Sequence, residues 1–160
     1  MKLITLGALG AGLFLAMNAD EVGPGSDTTR GIRNNNPGNL ENNGIRWQGL
    51  ASRQTDPRFY QFQEPLWGIR ALARTLKTYR DTHGLQTPRE IISRWAPAFE
   101  NNVDAYARAV GQAVGVDPDS PIPDDAGSRL KLVKAIIQHE NGAQPYPDSL
   151  IRDGIRRAYT

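Results

Sequence analysis

Glu140 lies in the string AIIQHENG, residues 135–142, where an acidic side chain closes an apolar run and a glycine stops the chain two residues later. A carboxyl at the last turn of a helix is partly desolvated by its apolar neighbours and faces the negative end of the helix dipole. Both effects disfavour the charged form. An acid held protonated near neutral pH is what a general acid at a glycosidic oxygen requires. The same placement also suits an ordinary exposed residue at a helix end, and both readings stand at this point. Other chemistries lack their residues. The chain has no cysteine, so thiolate metal sites and thiol nucleophiles are excluded, and no phosphate-cradling glycine loop or nucleophile elbow occurs. The two histidines, His83 and His139, are too far apart in sequence to suggest a local metal site, so neither a metal nor a cofactor is expected.

The elements that must position Glu140 are mostly helical. EPLWGIRALARTLKTY sets Leu66, Ile69, Ala73, Leu76 and Tyr79 on one stripe, with Pro65 suited to a first helical position. TPREIISRW is a capping-box sequence, with Thr87 as N-cap, Pro88 next and Glu90 reaching back. NNVDAYARAVGQAVG spaces Val103, Tyr106, Val110 and Val114 and stops at Gly115. SRLKLVKAIIQHENG repeats the pattern with Leu130, Val133 and Ile137 before Gly142. A last helix, capped by Asp148, carries Leu150, Ile151 and Ile155. Ahead of these helices, the Asn- and Gly-rich stretch from Arg30 to Gly49 reads as structured rather than as a linker. NPGN at 36–39 has the residues of a type II turn, and Asn43-Gly44 is the preferred type I′ pair for a hairpin joining Leu40–Asn42 to Ile45–Trp47. RFYQF, with Tyr60 and Phe62 sharing a face, is a third strand. The expected architecture is α+β, mostly helical, with one small antiparallel sheet.

At 160 residues the chain has the length of one globular domain. Its 19 basic and 17 acidic residues are spread without a Lys/Arg block, which does not favour dedicated nucleic-acid binding. Arg30, Arg33 and Arg46 are the one nearby basic group in the segment. The sharpest compositional break is at the N-terminus. Fifteen residues from Leu3 to Met17 contain one polar side chain, Thr5, and are shorter than a usual bilayer span. Residues 1–19 thus read as a membrane anchor or a removed export signal, with Ala19 at a poor cleavage position, and 20–29 as a linker to a domain at 30–160.

The strings RGIRNNNPGNL, WQG, TDPRFYQF, GIRALARTL, IISRWAP, AYARAV and AIIQHENGAQPY resemble a family of phage and prophage virion proteins with a lysozyme-like, lytic-transglycosylase-like domain. The resemblance runs from Arg30 to Gly154. It implies a lysozyme-like fold and an association with virions or with a bacterial inner membrane, facing the periplasm. In the wider lysozyme-like group the catalytic Glu commonly closes a helix in an ESG-type string ahead of the β region. Here ENG at 140–142 follows the β region, which suggests a rearranged order, of which circular permutation is one form.

That resemblance implies peptidoglycan glycan strands as the substrate and Glu140 as the general acid/base. Glu100 is the rival acid, but it sits just before a helix N-terminus, where the dipole would hold it ionised. A hydrolase needs a second carboxylate, for which Glu41 is the candidate, with Asp56 behind it. A lytic transglycosylase needs only one acid/base, and the polar turn around Glu41 favours an exposed residue there. Asn36 and Asn39 could bind N-acetyl and hydroxyl groups or simply serve the turn. Trp47 and Tyr60 could offer ring faces to sugars or fill the core, and Tyr146 could donate a hydroxyl in the cleft. Trp67 and Trp95 read as packing residues. His139 points about 100° away from Glu140 around the helix. Besides the glycan, the expected partners are a membrane through residues 3–17 and other virion proteins. The competing class is a non-catalytic virion structural protein on the same scaffold.

Overall fold

The computed structural model describes residues 28–96 and 100–160. The apolar N-terminal segment, and most of the 20–29 linker, lie outside the described residues. Six helices follow in order: α1 (Arg30–Arg33), α2 (Pro65–His83), α3 (Pro88–Trp95), α4 (Glu100–Val114), α5 (Ala126–Asn141) and α6 (Asp148–Tyr159). The fold is mostly helical. The two longest-packed neighbours are α2 and α6, while α3, α4 and α5 pack in series and α5 also meets α6. Ile69, Leu72, Ile92, Trp95, Ile136, Ile137 and Ile151 meet in a core closed to solvent.

The helix starts and stops follow local chemistry. Thr87 caps α3 through the Glu90 amide, and the Glu90 carboxylate reaches back to the Thr87 amide, completing the capping box. Pro65 opens α2, and α5 ends at Gly142, whose φ of 68° lies in the left-handed region. At α6 the expected cap is off by one residue. Pro147 holds the cap position and Asp148 is the first helical residue, where its carboxylate pairs with Lys134 of α5 at 2.7 Å.

The N-terminal loop departs more from expectation. Leu40–Asn42 pairs not with Ile45–Trp47 but with Arg58–Tyr60, through Asn42 N–H to Arg58 O and Tyr60 N–H to Leu40 O. The pairing is reduced to two isolated antiparallel bridges, Glu41 with Phe59 and Leu50 with Phe62, and the described residues contain no longer strand. The Asn43-Gly44 turn is instead knit by side chains. Asn42 Oδ1 accepts from the Gly44 amide, and Asn43 Oδ1 accepts from the Ile45 amide and the Tyr60 hydroxyl. Burial decided the partner: Tyr60 and Phe62 carry the apolar face that the core needs, whereas Ile45 and Trp47 are only partly covered.

The turn at 36–39 closes through the Asn39 amide on Asn36 O, but Gly38 does not take the positive φ of a type II turn. Asn39 does, at 48°. Gly38 is needed for closeness, since a Cβ there would lie 3.3 Å from Leu72 and 3.4 Å from Trp95. Gly68 is tighter still: a Cβ would stand 1.9 Å from the Asn35 carbonyl oxygen, where the loop crosses α2. Gly68→Ala should therefore force loop and helix apart and lower stability by about 1–3 kcal/mol or more, read as a drop in thermal midpoint. An unchanged midpoint would mean that the loop is not held against α2.

Candidate functional site

The loop from Thr29 to Asn39 is clasped to the C-terminal end of α5, and this clasp builds the surroundings of Glu140. Asn141 donates to Pro37 O at 2.8 Å and to Ile137 O at 2.9 Å, and its Oδ1 accepts from the Thr29 hydroxyl at 2.9 Å. Asn39 Nδ2 reaches the Glu140 carbonyl at 3.4 Å. Gly31 lets the chains approach: a Cβ there would meet Asn141 Oδ1 at 2.4 Å and Asn39 Oδ1 at 2.7 Å. The left-handed turn at Gly142 then carries the chain away.

Glu140 points inward and keeps only 9% of its surface. Its Oε1 accepts from the Trp95 indole N–H at 2.9 Å and from the Tyr106 hydroxyl at 3.1 Å. Those donors arrive from α3 and α4, so one oxygen joins three helices. Burial pushes the carboxyl up to about 7, against the opposing pull of the Trp95, Tyr106 and Asn39 donors. The Tyr106 phenol is itself raised well above its ordinary value, by burial and by the Glu140 charge. His139 stacks flat on the Tyr106 ring, with centroids 3.5 Å apart, and burial lowers its pKa. It therefore turns away from Glu140 while packing on the phenol that donates to it.

The other acids have different surroundings. Glu41 is bound by the Arg58 guanidinium through Nε at 2.9 Å and Nη2 at 2.6 Å, and is not among the hydrogen-bond partners of Glu140. Asp56 is structural in its contacts. Although burial opposes its charge, the Phe59 and Arg58 amides, Asn34 and the Arg30 guanidinium hold it below the ordinary carboxylate range. Glu100 is the first residue of α4, and its side chain lies outside the described residues.

The polar and aromatic candidates divide similarly. Asn36 is closed to solvent and spends its whole amide on the loop, donating to Leu40 O and Tyr60 O and accepting from the Leu40 amide. Tyr60 is 2% exposed, with its ring against Phe62, so its face lies in the core. Trp47 and Tyr146 pack at the edge of the core, and each keeps a buried polar atom, the indole N–H and the hydroxyl, without a partner. Asn39 Oδ1 is likewise buried and unsatisfied, beside the Glu140 backbone. Such groups are uncommon in folded proteins.

Trp95 and Tyr106 are the partners that stripe reading alone treats as packing. A signal for them was present: a buried indole or phenol carries a donor that must be satisfied, and a buried acid needs donors.

The fold and this site define a small helix-rich protein in which a buried carboxyl at a helix end is held between an indole and a phenol. Protein P5 of Pseudoalteromonas phage PM2 is 35% identical to the chain over 158 residues, covering 97% of this chain and 93% of the phage protein. The chain belongs to the family of that phage protein. No family model matches it.

Proposed function

We propose that this phage-family protein is virion-associated and cleaves peptidoglycan glycan strands as a lytic transglycosylase, with Glu140 as its one acid/base. The observation that carries the reading is a carboxyl whose pKa is pushed to about 7 by burial at the end of α5. Protonated Glu140 donates to the glycosidic oxygen as the C–O bond breaks. The resulting carboxylate takes the proton of the muramoyl 6-hydroxyl, whose oxygen closes on the anomeric carbon. An anhydro end forms, the acid is regenerated, and no water is consumed. Glu41, paired with Arg58, has no part in this scheme, which needs only the one acid/base. A lysozyme-like ancestry, a membrane tether through residues 3–17 and Asn39, Trp47 and Tyr146 as glycan contacts belong to the same proposal.

One observation favours a non-catalytic virion protein instead. Both donors to Glu140 are themselves buried, as expected of a carboxyl that merely ties three helices together. Digestion of purified peptidoglycan by the full chain separates the two. Anhydro-ended muropeptides are the expected product. Reducing ends would replace the transglycosylase with a hydrolase and make Glu41→Gln the next variant. No release by a demonstrably folded protein would overturn the catalytic reading in favour of the structural one.

A further inference from the structure

The chain holds two Asn-Gly pairs, Asn43-Gly44 and Asn141-Gly142, and the fold places them in opposite surroundings. In such a pair the glycine nitrogen can attack the preceding carboxamide with little hindrance, because no Cβ blocks the approach and the backbone turns freely. Asn43 and Gly44 are exposed and lie outside the helices and the two bridges. Gly44 has a φ of 85°, and a Cβ built on it would meet nothing within 4 Å among the described residues. Its amide donates to the neighbouring Asn42 Oδ1 at 3.2 Å, a bond confined to the turn.

The Asn43 side chain is folded towards the same peptide. Its Oδ1 accepts from the Ile45 amide, two residues on, at 3.3 Å and from the Tyr60 hydroxyl at 2.8 Å. Both bonds end on the oxygen that gathers negative charge when Cγ is attacked, so neither must break for the reaction to begin. Asn141 is the reverse case. It is 6% exposed in the last turn of α5, with Nδ2 donating to Pro37 O and Ile137 O and Oδ1 accepting from the Thr29 hydroxyl. Attack on its Cγ requires Nδ2 to abandon two carbonyls in a closed site.

We propose that Asn43 is a site of spontaneous deamidation in the folded protein, and that the loop clasped to α5 protects Asn141 from the same chemistry. The Gly44 nitrogen loses its proton to hydroxide and bonds to Asn43 Cγ. The Cγ–Nδ2 bond then breaks, and Nδ2 takes a proton from water and leaves as ammonia. Water opens the resulting succinimide at either carbonyl, giving aspartate or isoaspartate at position 43. No electrons are exchanged, and water is the one reactant the protein does not supply. Either product adds a carboxylate two residues from Glu41, and the isoaspartyl link also lengthens the turn. The inference does not depend on catalysis.

The test is incubation of the full chain in mildly alkaline buffer, folded and in parallel unfolded in urea, followed by tryptic digestion and mass spectrometry. Cleavage after Arg33, Arg46, Lys134 and Arg152 puts the two pairs on separate peptides, 34–46 and 135–152. In urea both pairs should convert at similar rates. In the folded chain position 43 should convert near its urea rate, as a mixture of aspartate and isoaspartate. Position 141 should there be at least about tenfold slower than position 43, since a buried helix end reacts only when the structure opens. Protection of position 43 equal to that of position 141, or acid at another asparagine of peptide 34–46 in its place, would overturn the site. Aspartate without isoaspartate would overturn the cyclic route. Conversion of position 141 at its urea rate would overturn the protection by the clasp.

Discussion

Glu140→Gln is expected to lower glycan-strand cleavage by about 10²- to 10⁴-fold, the usual contribution of a positioned acid/base, while making the protein more stable at alkaline pH. The two effects share one cause. The folded carboxyl titrates at about 7, above its ordinary 4.5, so between those values the folded state binds more protons than the unfolded chain. The contribution of this one group to stability is therefore full below pH 4.5 and falls as pH rises towards and through 7. A shift of that size corresponds to about 3 kcal/mol. Glutamine can still accept from Trp95 and Tyr106 through its amide oxygen, but it never ionises. Denaturant melts from pH 4 to 9 should show the variant overtaking wild type above neutrality. His139, whose lowered pKa acts in the opposite direction below its ordinary 6.5, is present in both proteins, so the difference between the two curves isolates Glu140. Wild-type cleavage should also decline about tenfold per pH unit well above 7, as the protonated acid is lost. Parallel stability curves would show that Glu140 does not titrate where its burial puts it.

Trp95→Ala should cost about 3–5 kcal/mol, because an indole with no exposed surface is removed from the junction of several elements. It packs edge-on against Tyr79 at 6.2 Å, covers Gly38, and donates to Glu140. Trp95→Phe separates packing from hydrogen bonding. It keeps a ring in the site but removes a donor that stabilises the charged carboxylate. The alkaline fall in stability should then move above pH 7, and the pH limit of cleavage should move with it. A variant that is merely less stable, with the same pH midpoint, would reduce Trp95 to a packing residue.

Much of the helical frame could be read locally. The stripe of Ile69, Ala73, Leu76 and Tyr79, the Thr87–Glu90 capping box and the Gly142 stop are each decided by neighbours within a turn or two. Glu140 was also legible as a candidate, because a glycine stop behind an apolar run places an acid at a helix end. What local reading misassigned was the pairing of Leu40–Asn42. An Asn-Gly pair favours the adjacent hairpin, but the core covers Tyr60 and Phe62, so the distant segment took the pairing. Gly38 was assigned by turn type and is instead a close-packing residue.

The sequence by itself determined the five longer helices, most of their starts and stops, and that an acid closes α5, whereas the short α1 went unread. Those are short-range matters of capping, periodicity and backbone freedom. Only the tertiary structure decided that the acid is buried rather than solvated, that Trp95 and Tyr106 supply its donors, and that Glu41 pairs with Arg58. Those outcomes depend on residues 45, 34 and 17 positions apart meeting in space. Burial of Glu140 is a property of three packed helices and one clasped loop, and no window along the chain contains it.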